Sequence, residues 1–316
     1  MSGFPGFAGA EGGALRIAFG SCNRAELEQP LWDVIRQNSP DVFIWTGDNV
    51  YAKDKDIKDL AEQYRLQKAR PDYQKFSGQT RVMAVWDDHD YGLNDGGRFF
   101  RHKKQSQRLF LDFVGAPVDD ARRAREGIYD SQTLEAGGLR VKIILLDTRY
   151  HRDDPGKDGD VLGKEQWQWL EGELAGSQAD VHLIVSSIQV LASEHKYEKW
   201  ANFPSAKRRL FDLLARLKVP GVIFISGDRH LAEISRCDDC VGYPLYDITS
   251  SGLTHSWGEF KGEPNRLRQG EVFSDLNFGL VTIEAAGPLP GVALEIRDKD
   301  NAVRLREIVQ FAGPKP

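Results

Sequence analysis

The sequence predicts an α/β protein that folds as a four-layer α/β/β/α sandwich. Up to about residue 230, short apolar segments without clean alternation are separated by helical patterns. Such segments are typical of strands that are buried on both faces. After residue 240, the segments alternate apolar and polar residues between Gly, Pro and Asp-Asn turns, which favours antiparallel strands. We therefore expect two sheets packed face to face, with helices outside and antiparallel strands in the C-terminal part.

The individual elements follow from the same patterns. Buried strands are predicted at 15–22, 41–45, 80–86, 139–147, 180–187 and 221–228. Apolar residues at helical spacing predict helices at 30–37, 104–114, 163–174 and 204–217, the last beginning on a proline that suits a first turn. The run 53–60 alternates in charge sign and is expected to be the solvated face of a helix. The C-terminal antiparallel strands are expected in YPLYDITSSG, NFGLVTIEA, GVALEIRD and NAVRLREIVQ.

Composition excludes several classes of protein. The 316 residues are 41% hydrophobic with a formal charge of -5, which argues against a nucleic-acid or membrane-surface binder. No stretch approaches the ~20 apolar residues of a membrane-spanning helix. Residues 1–14 lack the features of a signal peptide and are predicted to be a flexible tail, with 15–316 forming a single domain. The chain is expected to be cytoplasmic, or periplasmic or secreted if a leader has been removed.

Side chains that bind metals follow four of the predicted strands. The four segments are Gly20-Ser21-Cys22, Gly47-Asp48-Asn49-Val50-Tyr51, Trp86-Asp87-Asp88-His89-Asp90 (with Asn94 just beyond) and Gly227-Asp228-Arg229-His230. Each segment alone is weak evidence for a metal site, since a buried Cys is usually unreactive and a buried Tyr usually only packs in the core. At the carboxyl edge of a mainly parallel sheet they would lie together, where ligands bind. Carboxylates in such number repel one another unless a cation neutralises their charge. The four segments together therefore predict a metal site.

The ordered motifs F-G-S-C, G-D-N-V-Y, W-D-D-H-D-Y-G-x-N-D and G-D-R-H-x-x-E resemble those of the PhoD-type alkaline phosphatases, a branch of the metallophosphoesterase superfamily. The resemblance runs from about residue 15 to 285. It implies a double-sheet sandwich and a hydrolase of phosphomonoesters or phosphodiesters that uses iron(III) and one or more calcium ions. The metal ligands that it implies are Cys22, Asp48, Tyr51, Asn94, Asp228 and His230. The amino-terminal β-domain and the twin-arginine leader of many members are not seen, which leaves substrate and compartment open.

The residue types agree with that metal set. Asp48 has two oxygens and can bridge two ions, while Tyr51 ionises at neutral pH only beside a strong Lewis acid such as a trivalent ion. Cys22 favours a transition metal, and Asp228, Asn94 and Asp88 offer hard oxygens to a Ca²⁺-type ion. Mn²⁺, Mg²⁺ and Zn²⁺ are the alternative ions. Two neighbouring ions would activate a water, so that hydroxide attacks phosphorus in line.

His89 and Asp88 are the predicted catalytic residues. His89 is expected to protonate the leaving oxygen or to hold a phosphoryl oxygen, and the adjacent acids are expected to keep its imidazole protonated. Arg149, Arg229 and His255 are candidate phosphate contacts. Either arginine is equally consistent with a structural ion pair.

Two further questions stay open at this stage. Cys237 and Cys240 form a CxxC, but a structural zinc needs four protein ligands, so a hairpin turn with a facultative disulfide is the preferred interpretation. A phospholipid head-group phosphodiesterase and a weakly active metal-binding interaction protein are alternatives to the phosphatase. The expected partner is a small-molecule phosphoester, with no nucleic-acid partner, membrane span or obligate protein partner evident.

Overall fold

The structure is a computed structural model that describes residues 13–285, 289–309 and 311. Its strands are β1 (Ala14–Gly20), β2 (Val42–Thr46), β3 (Arg81–Val85), β4 (Asp130–Ala136), β5 (Leu139–Leu145), β6 (Val181–Val185), β7 (Val222–Ser226), β8 (Ala232–Cys237), β9 (Leu245–Ser250), β10 (Arg268–Phe273), β11 (Asn277–Ala285), β12 (Pro290–Asp298) and β13 (Val303–Val309). Its helices are α1 (Leu31–Gln37), α2 (Ile57–Ala69), α3 (Pro71–Ser77), α4 (Asp88–Tyr91), α5 (Lys103–Phe113), α6 (Gly163–Ala175) and α7 (Pro204–Leu217). The six predicted buried strands and the four predicted helices are all present.

The strands form two mixed sheets. The first has the order β13-β12-β11-β1-β2-β3, with β1, β2 and β3 parallel and the three C-terminal strands antiparallel. The second has the order β10-β8-β9-β7-β6-β5-β4, with β5, β6, β7 and β9 parallel. The parallel strands form one half of the first sheet, up to the edge strand β3, and the centre of the second sheet, so each sheet presents the carboxyl ends of its parallel strands on one side.

The two sheets pack face to face, as predicted. In β2, Phe43 packs on Trp32 of α1 with ring centroids 5.3 Å apart. The alternate residue Ile44 points to the opposite face and belongs to the same core cluster as Ile143 of the second sheet. On the outer face of the second sheet, a separate cluster joins strand residues to α6 and α7 through Leu170 and Leu210. The four-layer sandwich is confirmed.

Sequence patterns missed some elements, for identifiable reasons. β4 and β10 are edge strands whose residues are mostly half-buried or exposed, so they carry no apolar run. The predicted helical face 53–60 is only partly helical, because α2 begins at Ile57 after the cap Asp56. The helix α3 was not predicted. β9 was expected to be antiparallel, but it lies between β7 and β8 and pairs in parallel with β7, since alternation does not reveal the direction of a partner strand.

The chain termini and the CxxC can also be placed. Residues 1–12 of the predicted tail lie outside the described residues, and β1 begins at Ala14. That residues 15–316 form a single domain stays a prediction. Cys237 and Cys240 are disulfide-bonded in the turn between β8 and β9.

Among the described helices, none is both long and apolar enough to cross a bilayer.

Candidate metal centre

The carboxyl ends of both sheets supply the site. Cys22, Asp48 and Asp88 follow β1, β2 and β3 of the first sheet, whereas Asp228 and His230 follow β7 of the second. Two glycines allow the turns to approach one another. A Cβ on Gly47 would lie 2.5 Å from the Cβ of Asp87, and a Cβ on Gly227 would lie 2.5 Å from Ser21 Oγ. Because no larger residue fits at either position, the four ligand-bearing turns can converge.

The backbone of these turns is unusual. Cys22, Asp48, Asp228 and His230 have φ angles of 60°, 48°, 71° and 55°, in the left-handed region. For residues with a side chain this conformation costs about 1–3 kcal/mol each and is concentrated at functional sites. The turns therefore aim their side chains at one point at some expense of stability.

One group of ligands combines sulfur, nitrogen and oxygen. Ligand atoms of Cys22, Asp48 and His230 all lie within 4.8 Å of one another. Tyr51 Oη lies 3.0 Å from Asp48 Oδ2 and 3.0 Å from His230 Nε2. Ser251 Oγ lies 3.0 Å from Cys22 Sγ and accepts the backbone N–H of His230 at 2.8 Å. We call Cys22, Asp48, Tyr51 and His230 the sulfur–nitrogen set.

A second group of ligands contains only carboxylates. Ligand oxygens of Asp48, Asp87, Asp88 and Asp228 also lie within 4.8 Å of one another, and we call these residues the carboxylate set. Asp88 forms a further group with Asp95 and Glu198. Asp48 is the residue that the sulfur–nitrogen and carboxylate sets share. The geometry therefore allows one carboxylate to contact ions of two different kinds.

The donor atoms fit metal ions in both distance and charge. Ligands of one ion at about 2.0–2.6 Å lie at most about 5 Å from one another. Burial, followed by repulsion from Cys22 and Asp88, raises the pKa of Asp48 well above its usual value. Burial, Asp87 and Asp88 likewise raise the pKa of Asp228. A cation between these groups would reverse both effects, so the residues present fit a metal centre.

A buried ion-pair network holds the carboxylate set in place. Arg149 has no exposed side-chain surface and lies 2.5 Å from both Asp87 Oδ1 and Glu198 Oε2. Ser187 donates to the same Asp87 oxygen at 2.5 Å, and Arg152 pairs with Glu198 at 2.9 Å. Burial nevertheless raises the pKa of Asp87 to about 7, although Arg149 opposes this. The contacts of Arg149 favour the structural ion pair, and its role as a phosphate contact stays a prediction.

Asp90 fixes the turns rather than facing the ligands. Its carboxylate accepts the backbone N–H groups of Asp87 at 2.7 Å, Asp48 at 3.2 Å and Asn49 at 3.3 Å. It therefore ties the turn after β2 to the turn after β3. Of the acids in WDDHD, Asp88 and Asp87 contribute to the ligand groups and Asp90 positions them.

His89 lies at the centre, where one of its ring nitrogens is within 4.8 Å of ligand oxygens of Asp48 and Asp88. Its backbone N–H donates to Asp88 Oδ1 at 2.9 Å and to Asp48 Oδ1 at 3.3 Å, and its ring packs on Tyr51 with centroids 4.2 Å apart. Burial lowers the pKa of His89, and Asp88 opposes this only in part. Burial of His89 therefore opposes the prediction that neighbouring acids keep the imidazole protonated, and the protonation of His89 stays a prediction. Asp87 and Asp90 are engaged by Arg149 and by backbone N–H groups instead.

The remaining predicted site residues differ in position. His255 lies next to the sulfur–nitrogen set, with its ring 4.9 Å from Tyr51 and 4.6 Å from His230, and burial lowers its pKa to about 3. Arg229 is buried and paired with Glu263. Asn94 has an exposed side chain in the turn after α4, where its backbone N–H donates to Asp54. The roles of all three stay predictions.

The structure adds residues that sequence reasoning missed. Ser251 contacts the Cys22 thiol, and Glu198 and Asp95 extend the carboxylates around Asp88. Ser251 directly follows β9, so its position after a strand was a usable signal. Glu198 lies in a long loop after β6, and nothing in the local sequence distinguishes it from a solvated acid.

A model of the PhoD-like phosphatase family matches residues 17–264, a range that contains every candidate ligand. The chain belongs to the PhoD-like phosphatase family. Alkaline phosphatase D of Bacillus subtilis (strain 168) is 22% identical over 254 residues, which cover 65% of this chain and 41% of that protein. The chain thus spans about two fifths of the length of this curated relative.

Solved structures share the fold of this PhoD-like chain. A structure of PhoD superposes with a TM-score of 0.71 at 15% identity, covering 96% of this chain and 72% of the other. GAP50, described as the anchor in the inner membrane complex of Plasmodium, superposes with a TM-score of 0.64 at 16% identity, covering 96% of this chain and 90% of GAP50. A dimetal phosphatase from Danio rerio superposes with a TM-score of 0.56 at 13% identity, covering 94% of this chain and 99% of the other. At these identities the likeness shows the fold alone.

Proposed function

We propose that this PhoD-like protein is a metal-dependent hydrolase of phosphomonoesters, phosphodiesters or both. Family membership supports the reaction class. The observation that carries the proposal is the position of Asp48, which belongs to both the sulfur–nitrogen and the carboxylate set. A carboxylate shared in this way suits a two-ion site for phosphoryl transfer.

The two sets differ in the ions that they suit. Thiolate, phenolate and imidazole favour a transition metal, and we assign iron(III) to the sulfur–nitrogen set. Oxygen ligands alone suit a hard cation, and we assign Ca²⁺ to the carboxylate set, with Mn²⁺, Mg²⁺ and Zn²⁺ as alternatives. When bound, such ions lower the pKa of a water and neutralise charge on a phosphoryl group.

The chain's own residues supply position and protons. Arg149 and Asp90 hold the carboxylates and turns in place through buried contacts. His89 is half-buried with its ring against Tyr51, and we assign it the donation of a proton to the leaving oxygen. Burial favours its neutral form, but the negative charge of a bound phosphate favours the imidazolium, which can then donate a proton.

The test is metal analysis of the purified protein together with turnover of 4-nitrophenyl phosphate and bis-(4-nitrophenyl) phosphate. We expect bound metal, hydrolysis of at least one ester, loss of activity after chelation and recovery after reloading. A folded protein that binds metal in neither set and hydrolyses neither ester would overturn the proposal.

The other functions are decided by the same preparation. GAP50 is described as an anchor and shares this fold, so activity has to be measured rather than assumed. Metal binding without turnover would favour the interaction protein, and release of head groups from phosphatidylcholine would favour the lipid phosphodiesterase. The compartment and the small-molecule partner stay predictions.

A further inference from the structure

A second cluster of polar side chains lies beside the metal centre. It consists of His195, Lys199, Arg229 and Arg268, and we call it the His195 cluster. His195 is only 4% exposed, and within the described part of the chain neither of its ring nitrogens has a hydrogen-bond partner. A buried polar group without a partner is destabilising, so a nitrogen pair of this kind indicates a missing ligand or water.

The other unpartnered atoms of the cluster are donors. Arg229 Nε and Arg268 Nη2 are buried and have no hydrogen-bond partner among the described residues. Each arginine also has a paired nitrogen, since Arg229 Nη2 pairs with Glu263 and Arg268 Nε pairs with Glu233 at 2.6 Å. Guanidinium nitrogens can only donate, so the group that satisfies them must accept hydrogen bonds.

The charge of the cluster is positive. Lys199 is 5% exposed, and its Nζ donates to the backbone oxygen of Tyr197 at 3.0 Å and to Asn202 Oδ1 at 2.6 Å, with no ion pair in the described residues. Glu233 and Glu263, the acids that contact the two arginines, are each already paired with one of them. After burial, the charges of Arg229, Lys199, Arg268 and Lys207 are what lowers the pKa of His195, to about 3. Buried cations in excess of their acids call for an anion.

The cluster shares a wall with the metal centre. Arg229 stands in the chain between Asp228 and His230, and its guanidinium packs on the ring of Tyr197 at 4.4 Å. Trp257 contacts the Tyr197 ring at 5.6 Å, and its backbone N–H donates to the backbone oxygen of His230 at 2.6 Å. An anion held by the cluster would therefore lie beside the turn that carries Asp228 and His230.

We propose that the His195 cluster binds a second oxyanion, a phosphate or carboxylate carried by the leaving group of the substrate. The preferred substrates are then phosphoesters with two anionic groups. The identity of the anion as part of a substrate rests on the proposed hydrolase. A free inorganic oxyanion presents the same chemistry, and the experiment distinguishes the two sources.

The first arm compares substrates. Straight-chain alkanediol bisphosphates of increasing length are compared with the alkyl monophosphates of the same length, using kcat/KM. At the best length we expect the wild type to prefer the bisphosphate by about tenfold or more, the effect of one or two charge-assisted hydrogen bonds. Lys199→Gln and His195→Phe should each lose most of this preference. Lys196→Met, in an exposed lysine that contacts the Tyr197 ring, is the matched control and should keep it.

The second arm needs no turnover. Sulfate should raise the melting temperature of the wild type and of Lys196→Met more than that of Lys199→Gln and His195→Phe. Asp48→Asn, which alters the metal centre, should keep the sulfate effect, so the result stands even if the proposed hydrolysis fails. A sulfate effect without bisphosphate preference supports an oxyanion site for a free ion and overturns the substrate assignment. If wild type and all variants show the same substrate preference and the same sulfate-induced shift in melting temperature, the proposed oxyanion site is overturned and water is left as the partner of His195.

Discussion

The sulfur–nitrogen set and the carboxylate set share Asp48 but differ in the acidity of the groups that a metal ion has to deprotonate. In the first, burial raises the pKa of Cys22 to about 11 and raises that of Tyr51 well above its usual value. An ion there must displace protons from both groups. In the second, burial raises the pKa of Asp48, Asp87 and Asp228, whereas Asp88 keeps a lowered pKa because Arg149 offsets its burial. The comparison teaches that an ion in the first set must displace protons from a thiol and a phenol, which requires a strong Lewis acid, whereas an ion in the second set has only carboxyl groups to deprotonate and negative charge to neutralise.

The most damaging change removes the shared residue. Asp48→Asn should lose metal from both sets and lower kcat/KM by at least about 10³-fold, because each set loses a carboxylate and a two-ion site contributes several kcal/mol. The measurements are metal content, rate and circular dichroism on one preparation. Asp212→Asn, an exposed acid on α7, is the control and should change none of them. Full metal occupancy in a folded Asp48→Asn protein would rule out the sharing of Asp48.

A change in one set should leave the other intact. Loaded with iron(III), the wild type should absorb visible light through charge transfer from the Tyr51 phenolate, and Tyr51→Phe should abolish that band while calcium content is unchanged. Tyr64→Phe is the matched control, since Tyr64 is also buried but bonds to Asp90. A colourless iron(III) wild type, or the same band in Tyr51→Phe, would remove Tyr51 from the ligands.

Sequence patterns predicted the turns that carry the candidate ligands and missed the contacts that hold those ligands in place. The ligand turns were predictable because each follows a buried strand, a local signal. The contacts of Arg149 and Ser251 were not, because they join distant parts of the chain: Ser251 lies 229 residues from Cys22. The contacts of the acids around His89 were not predictable either, because sequence adjacency does not show that Asp87 faces Arg149 and Asp90 faces backbone N–H groups. Edge strands such as β4 were missed because one side of them meets solvent.

A substitution of His89 tests whether this residue donates the proton to the leaving oxygen. His89→Ala should damage hydrolysis of alkyl phosphoesters far more than that of nitrophenyl esters, since an alkoxide needs a proton and a nitrophenolate does not. General acid catalysis is worth about 10²–10⁴-fold, so the two substrate types should separate by that order. The measurement is kcat/KM over leaving groups of rising pKa, with His102→Ala as the control. Parallel plots for mutant and wild type would leave His89 as an electrostatic contact to the phosphoryl oxygens.

The smallest expected effect concerns Ser251. Because Ser251 Oγ accepts the N–H of His230, its own hydrogen is free to point at Cys22 Sγ, 3.0 Å away, and this contact lowers the pKa of Cys22 against the effect of burial. Without it the pKa of the thiol rises further, so at a fixed neutral pH the ion must displace a more tightly held proton. Ser251→Ala should therefore weaken transition-metal binding by about 10–100-fold and leave the carboxylate set unchanged.

The pH dependence gives the sharper test of that contact. Binding of the transition metal should strengthen as pH rises towards the pKa of Cys22, since less proton has to be displaced, and the curve for Ser251→Ala should lie at higher pH than that for the wild type. Titration of metal affinity against pH measures this, with Ser256→Ala as the control, because Ser256 donates to Ser274 away from the thiol. Superimposable curves for Ser251→Ala and the wild type would mean that Ser251 positions the His230 backbone and leaves the thiolate to the metal alone.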